Sequence, residues 1–403
     1  MQDTFIIDGI RTAIGSFRGT LSAVRADDLA AHVIRALLDR HSQLDPALID
    51  DVILGCANQA GEDNRNVARM ALLLAGMPFT VPGETVNRLC ASGMSAVIHA
   101  HRAIQSADGD LFISGGVENM TRGPWVISKA SQPFGNDVET HDSSFGWRFI
   151  NPRMKELYGT EAMGETAENL AELYKISRED QDKFAFSSQQ KAAAGASHLA
   201  EEITAIHLPR KKQDLLIFQK DEFAKPQTTV KALADLKPAF RAGGSVTAGN
   251  SSGLNDGAAA LLLSSDFGVR QNNLTPIARI HSSAVVGVEP RIMGIGPVQA
   301  SLNALKKAGL SLEDMDVIEI NEAFAAQVLA CTRKLGLQDD DPRINMNGGA
   351  IALGHPLGMS GARLILTAAK SLQRLNKRYA LATMCIGVGQ GYAVVLERVG
   401  STH

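Results

Sequence analysis

The stretches Asn87-Arg88-Leu89-Cys90-Ala91-Ser92-Gly93-Met94-Ser95 and Gly354-His355-Pro356-Leu357-Gly358-Met359-Ser360 decide how this chain folds. Gly93-Met94-Ser95 recurs as Gly358-Met359-Ser360, and Asp51-Val52-Ile53 recurs as Asp316-Val317-Ile318, each pair 265 residues apart. A strand and a helix start that keep their spacing in two places indicate two copies of one αβ unit related by a pseudo-twofold. Chance agreement between short apolar tripeptides is the alternative, and two matches at one offset disfavour it. At the same offset Cys90 falls opposite His355, each just ahead of a helix, so a twofold between the copies brings a thiol and an imidazole face to face.

Working outward, short apolar runs that read as buried strands (4–8, 51–54, 111–114, 258–264, 317–320 and 380–385) alternate with amphipathic stretches. The latter read as helices at 27–40, 64–75, 93–105, 166–174, 178–194, 298–308, 323–336 and 358–375. This is the pattern of an α/β protein with largely parallel sheets. The segment from Asn119 to about Val246 differs: it carries both tryptophans and the cluster Arg210-Lys211-Lys212, and reads as an insertion. The expected organisation is a first half at 1–118 with 247–270, an inserted domain at 119–246, and a second half at 271–403.

The 403 residues, 45% hydrophobic and 21% charged, suffice for two or three cores and exclude a disordered chain. With 40 Lys+Arg against 43 Asp+Glu, no global basic field is available to hold a polyanion, so nucleic acid is not an expected partner. The four cysteines, at 56, 90, 331 and 385, include no C-x-x-C and no zinc-like pairing with His. Neither a disulfide framework nor a metal is expected. The N-terminus lacks a leader pattern, no window reaches about 18 apolar residues, and the terminal Ser401-Thr402-His403 is neither a lipidation box nor a peroxisomal signal. No membrane association and a cytoplasmic location are expected.

Four segments carry residues that can do chemistry. Cys90 precedes a helix, where unpaired N–H groups and the positive end of the dipole are expected to lower the thiol pKa toward neutrality and favour a nucleophile over an idle buried cysteine. His355 lies in the glycine-dense run 347–361, where an imidazole can deprotonate a thiol or donate to an oxyanion. Cys385 ends a strand and is followed by Ile386-Gly387-Val388-Gly389-Gln390-Gly391, whose N–H groups can bind an oxyanion; the Lys-Ser/Thr of a phosphate loop is missing. In Glu319-Ile320-Asn321-Glu322-Ala323-Phe324 a strand runs into a helix. Asn321 there either faces the ligand crevice or, with Glu322, merely caps the helix.

Together these segments resemble the thiolase family. The motifs are Asn-Arg-x-Cys-x-Ser-Gly at 87–93, Asn-Glu-Ala-Phe at 321–324, Gly-His-Pro-x-Gly-x-Ser-Gly at 354–361 and Cys-x-Gly-x-Gly-Gln-Gly at 385–391, with further matching stretches at 115–120 and 247–258. The resemblance runs over essentially the whole chain. It implies a duplicated, five-layered αβαβα fold with two mixed sheets and an inserted loop domain covering coenzyme A. It implies Cys90 as the nucleophile, activated by His355, and Cys385 as the acid/base at the α-carbon of acetyl-CoA. Asn321 would hold a water that stabilises the enolate with His355, and the N–H groups of Cys90 and Gly387 would form a second oxyanion hole. Coenzyme A, a co-substrate rather than a permanently bound cofactor, would lie along Ser252, Ala248, Phe240, Met163 and Phe324, with Lys225 near the nucleotide end. A homodimer or homotetramer acting on acyl-CoA substrates is implied.

The stretch 142–154 followed by Leu157-Tyr158-Gly159 is similar to the same region in thiolases that act on 3-oxoadipyl-CoA in aromatic catabolism. A dicarboxylic acyl chain ends in a carboxylate that an arginine fork binds bidentately, and Arg148 or Arg153 is placed to do so, unless both are ordinary loop or interface residues. Two departures pull in opposite directions. Ala162 stands where acetoacetyl-CoA thiolases of the biosynthetic type often have His, and Gly164 where the 3-oxoadipyl enzymes tend to have Pro. The expected reaction is therefore cleavage of 3-oxoadipyl-CoA with coenzyme A to succinyl-CoA and acetyl-CoA. A general 3-ketoacyl-CoA or acetoacetyl-CoA thiolase is the alternative, and a Cys–His hydrolase or a non-catalytic acyl-CoA binder are readings from other classes.

Overall fold

The computed structural model describes residues 2–210 and 213–400; Met1, Lys211, Lys212 and the terminal 401–403 lie outside the described residues. The strands that position the site are β1 (Thr4–Thr12), β2 (Asp51–Gly55), β3 (Gly83–Val86), β4 (Leu111–Asn119), β5 (Asn255–Ser265), β6 (Ala278–Gly287), β7 (Val317–Ile320), β8 (Tyr379–Ile386) and β9 (Gln390–Arg398). The helices are α1 (Ala26–Arg40), α2 (Val67–Leu74), α3 (Ser92–Gln105), α4 (Met163–Leu173), α5 (Arg178–Ala194), α6 (Gly296–Ala308), α7 (Ala325–Lys334) and α8 (Leu357–Leu375). The strand order is β7-β8-β9-β6-β1-β5-β4-β2-β3.

Read outward from its middle, the order is the same in both directions. β1, β5, β4 and β2 match β6, β9, β8 and β7, and the parallel bridge Ile318↔Ile344 stands where β3 stands in the first half. The repeat read from two tripeptides thus extends to the whole topology, although the 265-residue offset itself does not hold for β5 and β9, which stand after the excursion in the first half. Among the described residues the two half-sheets meet at two residue pairs, Phe5↔Arg279 and Ile6↔Ala278. They are therefore two mixed half-sheets joined edge to edge into one continuous sheet. The expectation of largely parallel sheets needs correction: β2–β4, β2–β3 and β7–β8 are parallel, while β1–β5, β5–β4, β6–β9 and β8–β9 are antiparallel. The connection from β8 to β9 is only residues 387–389, too short for the crossover that parallel pairing requires.

Alternation along each strand sorts side chains into layers. On β5, Ala258, Ala260 and Leu262 join α1 and α2 in one core, while Ala259, Leu261 and Leu263 face a second core shared with α3 and α8. On β9, Tyr392, Val394 and Leu396 face that same second core, and Ala393 and Val395 join α6 and α7 in a third. The sequence of layers is α1/α2, half-sheet, α3/α8, half-sheet, α6/α7, the five-layered arrangement expected. The chain leaves this body after β4 and returns at β5, and α4 and α5 lie in that excursion.

The central layer is where the two copies touch. A Cβ on Gly93 would run into the carbonyl oxygen of Gly358, and one on Gly361 would lie 2.5 Å from the Met94 nitrogen. Equivalent residues of the repeat thus meet across the pseudo-twofold, with no side chain between them. Gly93→Ala is expected to destabilise the protein by about 1–3 kcal/mol through forced separation of α3 and α8. Gly287→Ala, where a Cβ meets nothing within 4 Å, should change stability by less than about 0.5 kcal/mol. Thermal melts of the two variants check this contrast.

Candidate active site

Because α3 and α8 touch at Gly93 and Gly358, the segments just ahead of them converge. Cys90 sits in a 3-10 turn, Leu89–Ala91, that leads into α3. The turn is fixed by its own polar groups: the Ser92 hydroxyl donates to the Leu89 carbonyl (2.7 Å) and accepts from the Arg88 N–H (2.9 Å). Cys90 is half-buried and packs against the central core. Burial pushes its thiol above the ordinary value, opposed by the N–H groups of Gly387 and of Cys90 itself, and the Glu118 carboxylate pushes it up further. This corrects the expectation of a thiol lowered toward neutrality: desolvation outweighs the helix terminus.

His355 is buried ahead of α8, its N–H donating to Asn255 Oδ1 (2.9 Å). Its Nδ1 lies 2.6 Å from Ser360 Oγ, whose hydroxyl donates to the Pro356 carbonyl (2.8 Å). With that hydrogen committed, Nδ1 is the protonated ring nitrogen and Nε2 keeps its lone pair. The Asn321 amide donates to Nε2 at 3.3 Å, and Asn321 Oδ1 is buried without a partner. Burial, reinforced by the Arg363 cation, lowers the His355 pKa to about 3, so the imidazole is neutral at physiological pH and able to accept a proton. Asn321 and Glu322 do not cap α7, whose N-cap is Phe324. Glu322 instead accepts from Ser188, Asn345 and the Ile351 N–H, which holds the run before His355 in place.

Cys385, 1% exposed, is the penultimate residue of β8, and burial pushes its thiol well up, with Cys90 and Cys331 adding to the effect. Its apolar neighbours are Ala167, Val246, Met293, Ala323, Phe324 and Met163. The hairpin after it brings Gly387 against the cysteine loop, with a Cβ there lying 3.4 Å from Leu89 and 3.6 Å from Met163 Sδ.

A cavity of about 520 Å³ opens onto Cys90. Gly387, Met163 and Arg148 line it, as do Glu118, Trp147, Ser143, Ser144 and Thr160. Arg148 is anchored to the Ser143 carbonyl (3.3 Å), and Trp147 donates to the Glu161 carbonyl (3.3 Å). Arg153 is exposed and does not line the cavity. The residues expected along coenzyme A fall into two groups. Phe240 stands edge-on to Phe324 (84°, 6.2 Å between centroids) and lies over Gly164, where any Cβ would strike its ring. The Ser252 N–H donates to the Ala323 carbonyl (3.0 Å), and Ala323, Phe324 and Met163 share an apolar cluster with Cys385. Ala248 and Lys225 are exposed, Lys225 lying over the Phe223 ring.

Two contributors carried no assigned role in the sequence reading. Ser360, which sets the His355 tautomer, was visible within the Gly-His-Pro-x-Gly-x-Ser motif. Glu118, raised to about 7 mainly by burial, accepts N–H bonds from Ala57, Asn58 and Gly358. It ties three loops together at the cavity wall, and only its place in the 115–120 stretch hinted at it.

The electrostatics have a testable sign. With its folded pKa raised, Cys90 is largely a neutral thiol at pH 7, so its alkylation by iodoacetamide in the free protein should still accelerate between about pH 7 and about pH 9. A rate that levels off by about pH 7 would show the helix terminus prevailing.

The chain matches the family description "Thiolase, N-terminal domain" over residues 4–266 and "Thiolase, C-terminal domain" over residues 274–398. It is 60% identical over 401 residues, 99% of this chain and 100% of the relative, to the 3-oxoadipyl-CoA/3-oxo-5,6-dehydrosuberyl-CoA thiolase of Escherichia coli. It is 56% identical over 400 residues, again 99% and 100%, to the beta-ketoadipyl-CoA thiolase of Pseudomonas aeruginosa. Among solved structures, human mitochondrial 3-ketoacyl-CoA thiolase superposes with a TM-score of 0.92 at 39% identity, covering 99% of each chain. Two matched descriptions that nearly fill the sequence, and relatives of this identity over their full length, establish that the chain belongs to the thiolase family.

Proposed function

We propose that this acyltransferase cleaves 3-oxoadipyl-CoA with coenzyme A, yielding succinyl-CoA and acetyl-CoA through an acyl-cysteine. The observation that carries the reading is that one cavity is lined by both Cys90 and Arg148. A succinyl group attached to the sulfur ends in a carboxylate, and a guanidinium is the group that binds it bidentately. The names of the similar enzymes point to the same substrate class. A Cys–His hydrolase, the rival from another class, has no support in the family assignment.

In the proposed sequence His355 Nε2 takes the Cys90 proton as the sulfur attacks C3 of the substrate. The N–H groups of Cys90 and Gly387 hold the resulting oxyanion. The C2–C3 bond then breaks, and its electron pair moves onto the thioester oxygen as an enolate held by His355 and by a water on Asn321 Oδ1. Cys385 delivers a proton to the α-carbon, releasing acetyl-CoA. A second coenzyme A gives its thiol proton to the Cys385 thiolate and attacks the acyl group, and Cys90 leaves as a thiolate that recovers its proton from His355. The expelled carbanion equivalent is unstable unless preorganised donors take its charge, each typically worth about 2.7–4 kcal/mol. Every group in this sequence comes from the chain or its substrates, so we propose no permanently bound cofactor and no metal.

Coenzyme A is proposed to lie along Ser252, Ala248, Phe240, Met163 and Phe324, with Lys225 toward the nucleotide and residues 119–246 as its cover. Among the described residues no helix is long and apolar enough to cross a membrane; a cytoplasmic enzyme is proposed. A homodimer or homotetramer is the proposed assembly, supported by the exposed apolar residues Phe79, Trp125 and Phe134.

Arg148→Ala should lower kcat/KM for 3-oxoadipyl-CoA by about 1.5–3 kcal/mol, roughly ten- to hundredfold, while changing acetoacetyl-CoA turnover little. Equal kcat/KM for the two substrates in the parent enzyme refutes the dicarboxylate reading. Cys385→Ser should lose at least about 100-fold in thiolysis; full turnover in that variant would favour hydrolysis.

A further inference from the structure

Two backbones beside Cys90 adopt a conformation that L-residues avoid. Leu89 has φ +47° and Val388 φ +63°. Left-handed backbone is disfavoured for any residue with a Cβ, and most of all for a β-branched one. Among the described non-glycine residues with positive φ, Val388 is the β-branched one, and it and Leu89 are the ones that line the cavity. Strain of this kind persists only where the surroundings over-determine it, and it gathers at functional sites.

The surroundings do over-determine it. Val388 sits at the tip of the hairpin between β8 and β9, whose last ladder pair is Ile386↔Gln390. The following Gly389, at φ +83°, is wedged where a Cβ would strike the Val288 carbonyl, and its own carbonyl accepts the Val288 N–H at 2.8 Å. Leu89 is held from both sides, its N–H donating to Asn87 Oδ1 (2.9 Å) and its carbonyl accepting the Ser92 hydroxyl. Arg88 then joins the two loops, Nη1 donating to Gln390 Oε1 at 2.9 Å. Turning the chain left-handed at Val388 ends the ladder at Ile386 and leaves the Gly387 N–H free to face the Cys90 sulfur, where the N–H of Cys90 also acts.

We propose that Leu89 and Val388 are positioning residues, strained so that the N–H groups of Gly387 and Cys90 converge on one point beside the reactive sulfur. The inference rests on the reading of Cys90 as nucleophile and goes beyond it by assigning the orientation of the oxyanion donors to two apolar side chains. A glycine at 388 relaxes the strain and frees the loop to leave its donor geometry, so stability and turnover should move in opposite directions.

The test uses the full-length enzyme with Val388→Gly, Val388→Asn and Cys90→Ala, reading thermal midpoint, kcat, KM and the acyl adduct on the intact protein with 3-oxoadipyl-CoA. Val388→Gly should raise the midpoint by about 1–3 °C and lower kcat at least about tenfold, with KM within about twofold. Asn tolerates the left-handed region, so Val388→Asn should recover kcat to within about threefold of the parent. The inference is overturned if Val388→Gly keeps kcat within twofold, or if midpoint and kcat fall together and Asn rescues neither. An adduct that persists in Cys90→Ala would instead remove the nucleophile reading, and this inference with it.

Discussion

The fold turns on one close approach: the starts of α3 and α8 meet at Gly93 and Gly358 with bare backbone between them. Each helix presents unpaired N–H groups and the positive end of its dipole at the same place, an arrangement that repels itself unless an anion intervenes. Glu118 supplies a buried acceptor at the start of α8. Buried at the end of β4, it takes the Gly358 N–H at 2.8 Å and the N–H groups of Ala57 and Asn58 on the opposite side. Duplication therefore does more than build two similar halves. It places Cys90 in one copy and His355 in the other, each just before one of the two helices that touch.

Enclosure sets the chemistry. The thiols of Cys90 and Cys385 are pushed up and the His355 imidazole is pushed down, all chiefly by desolvation. Cys90, Cys385 and His355 are consequently neutral at rest, and the charge that chemistry creates on them appears in a low-dielectric environment where fixed N–H donors act most strongly. Ser360 and Asn321 select the one tautomer in which His355 Nε2 is a proton acceptor.

Much of this was legible in the sequence because the repeated elements are central and strongly patterned. Asp51-Val52-Ile53 and Gly93-Met94-Ser95 fall on β2 and α3, and their echoes on β7 and α8. The strands that went unread have weaker signals. β6 contains Arg279, His281 and two serines and is only alternately buried, β9 begins on a glycine-rich turn, and β3 has four residues. The mixed pairing also escaped, since it depends on a three-residue hairpin that apolar runs do not announce. At the site the reactive residue types were readable from local motifs, whereas the direction of the Cys90 shift was not. A helix terminus is a local property, but burial of the sulfur is a product of the fold, and the Gly387 N–H that opposes it and the Glu118 carboxylate that adds to it belong to other segments of the chain. Asn321 was ambiguous for the same reason: only the fold shows it turned toward His355 rather than toward α7.

The most direct measurement is peptide mapping by mass spectrometry of enzyme quenched milliseconds after mixing with 3-oxoadipyl-CoA. A succinyl group on the peptide containing Cys90, absent from those containing Cys56, Cys331 and Cys385, is the predicted result. A label on any other cysteine, or none while acetyl-CoA is released, would contradict it.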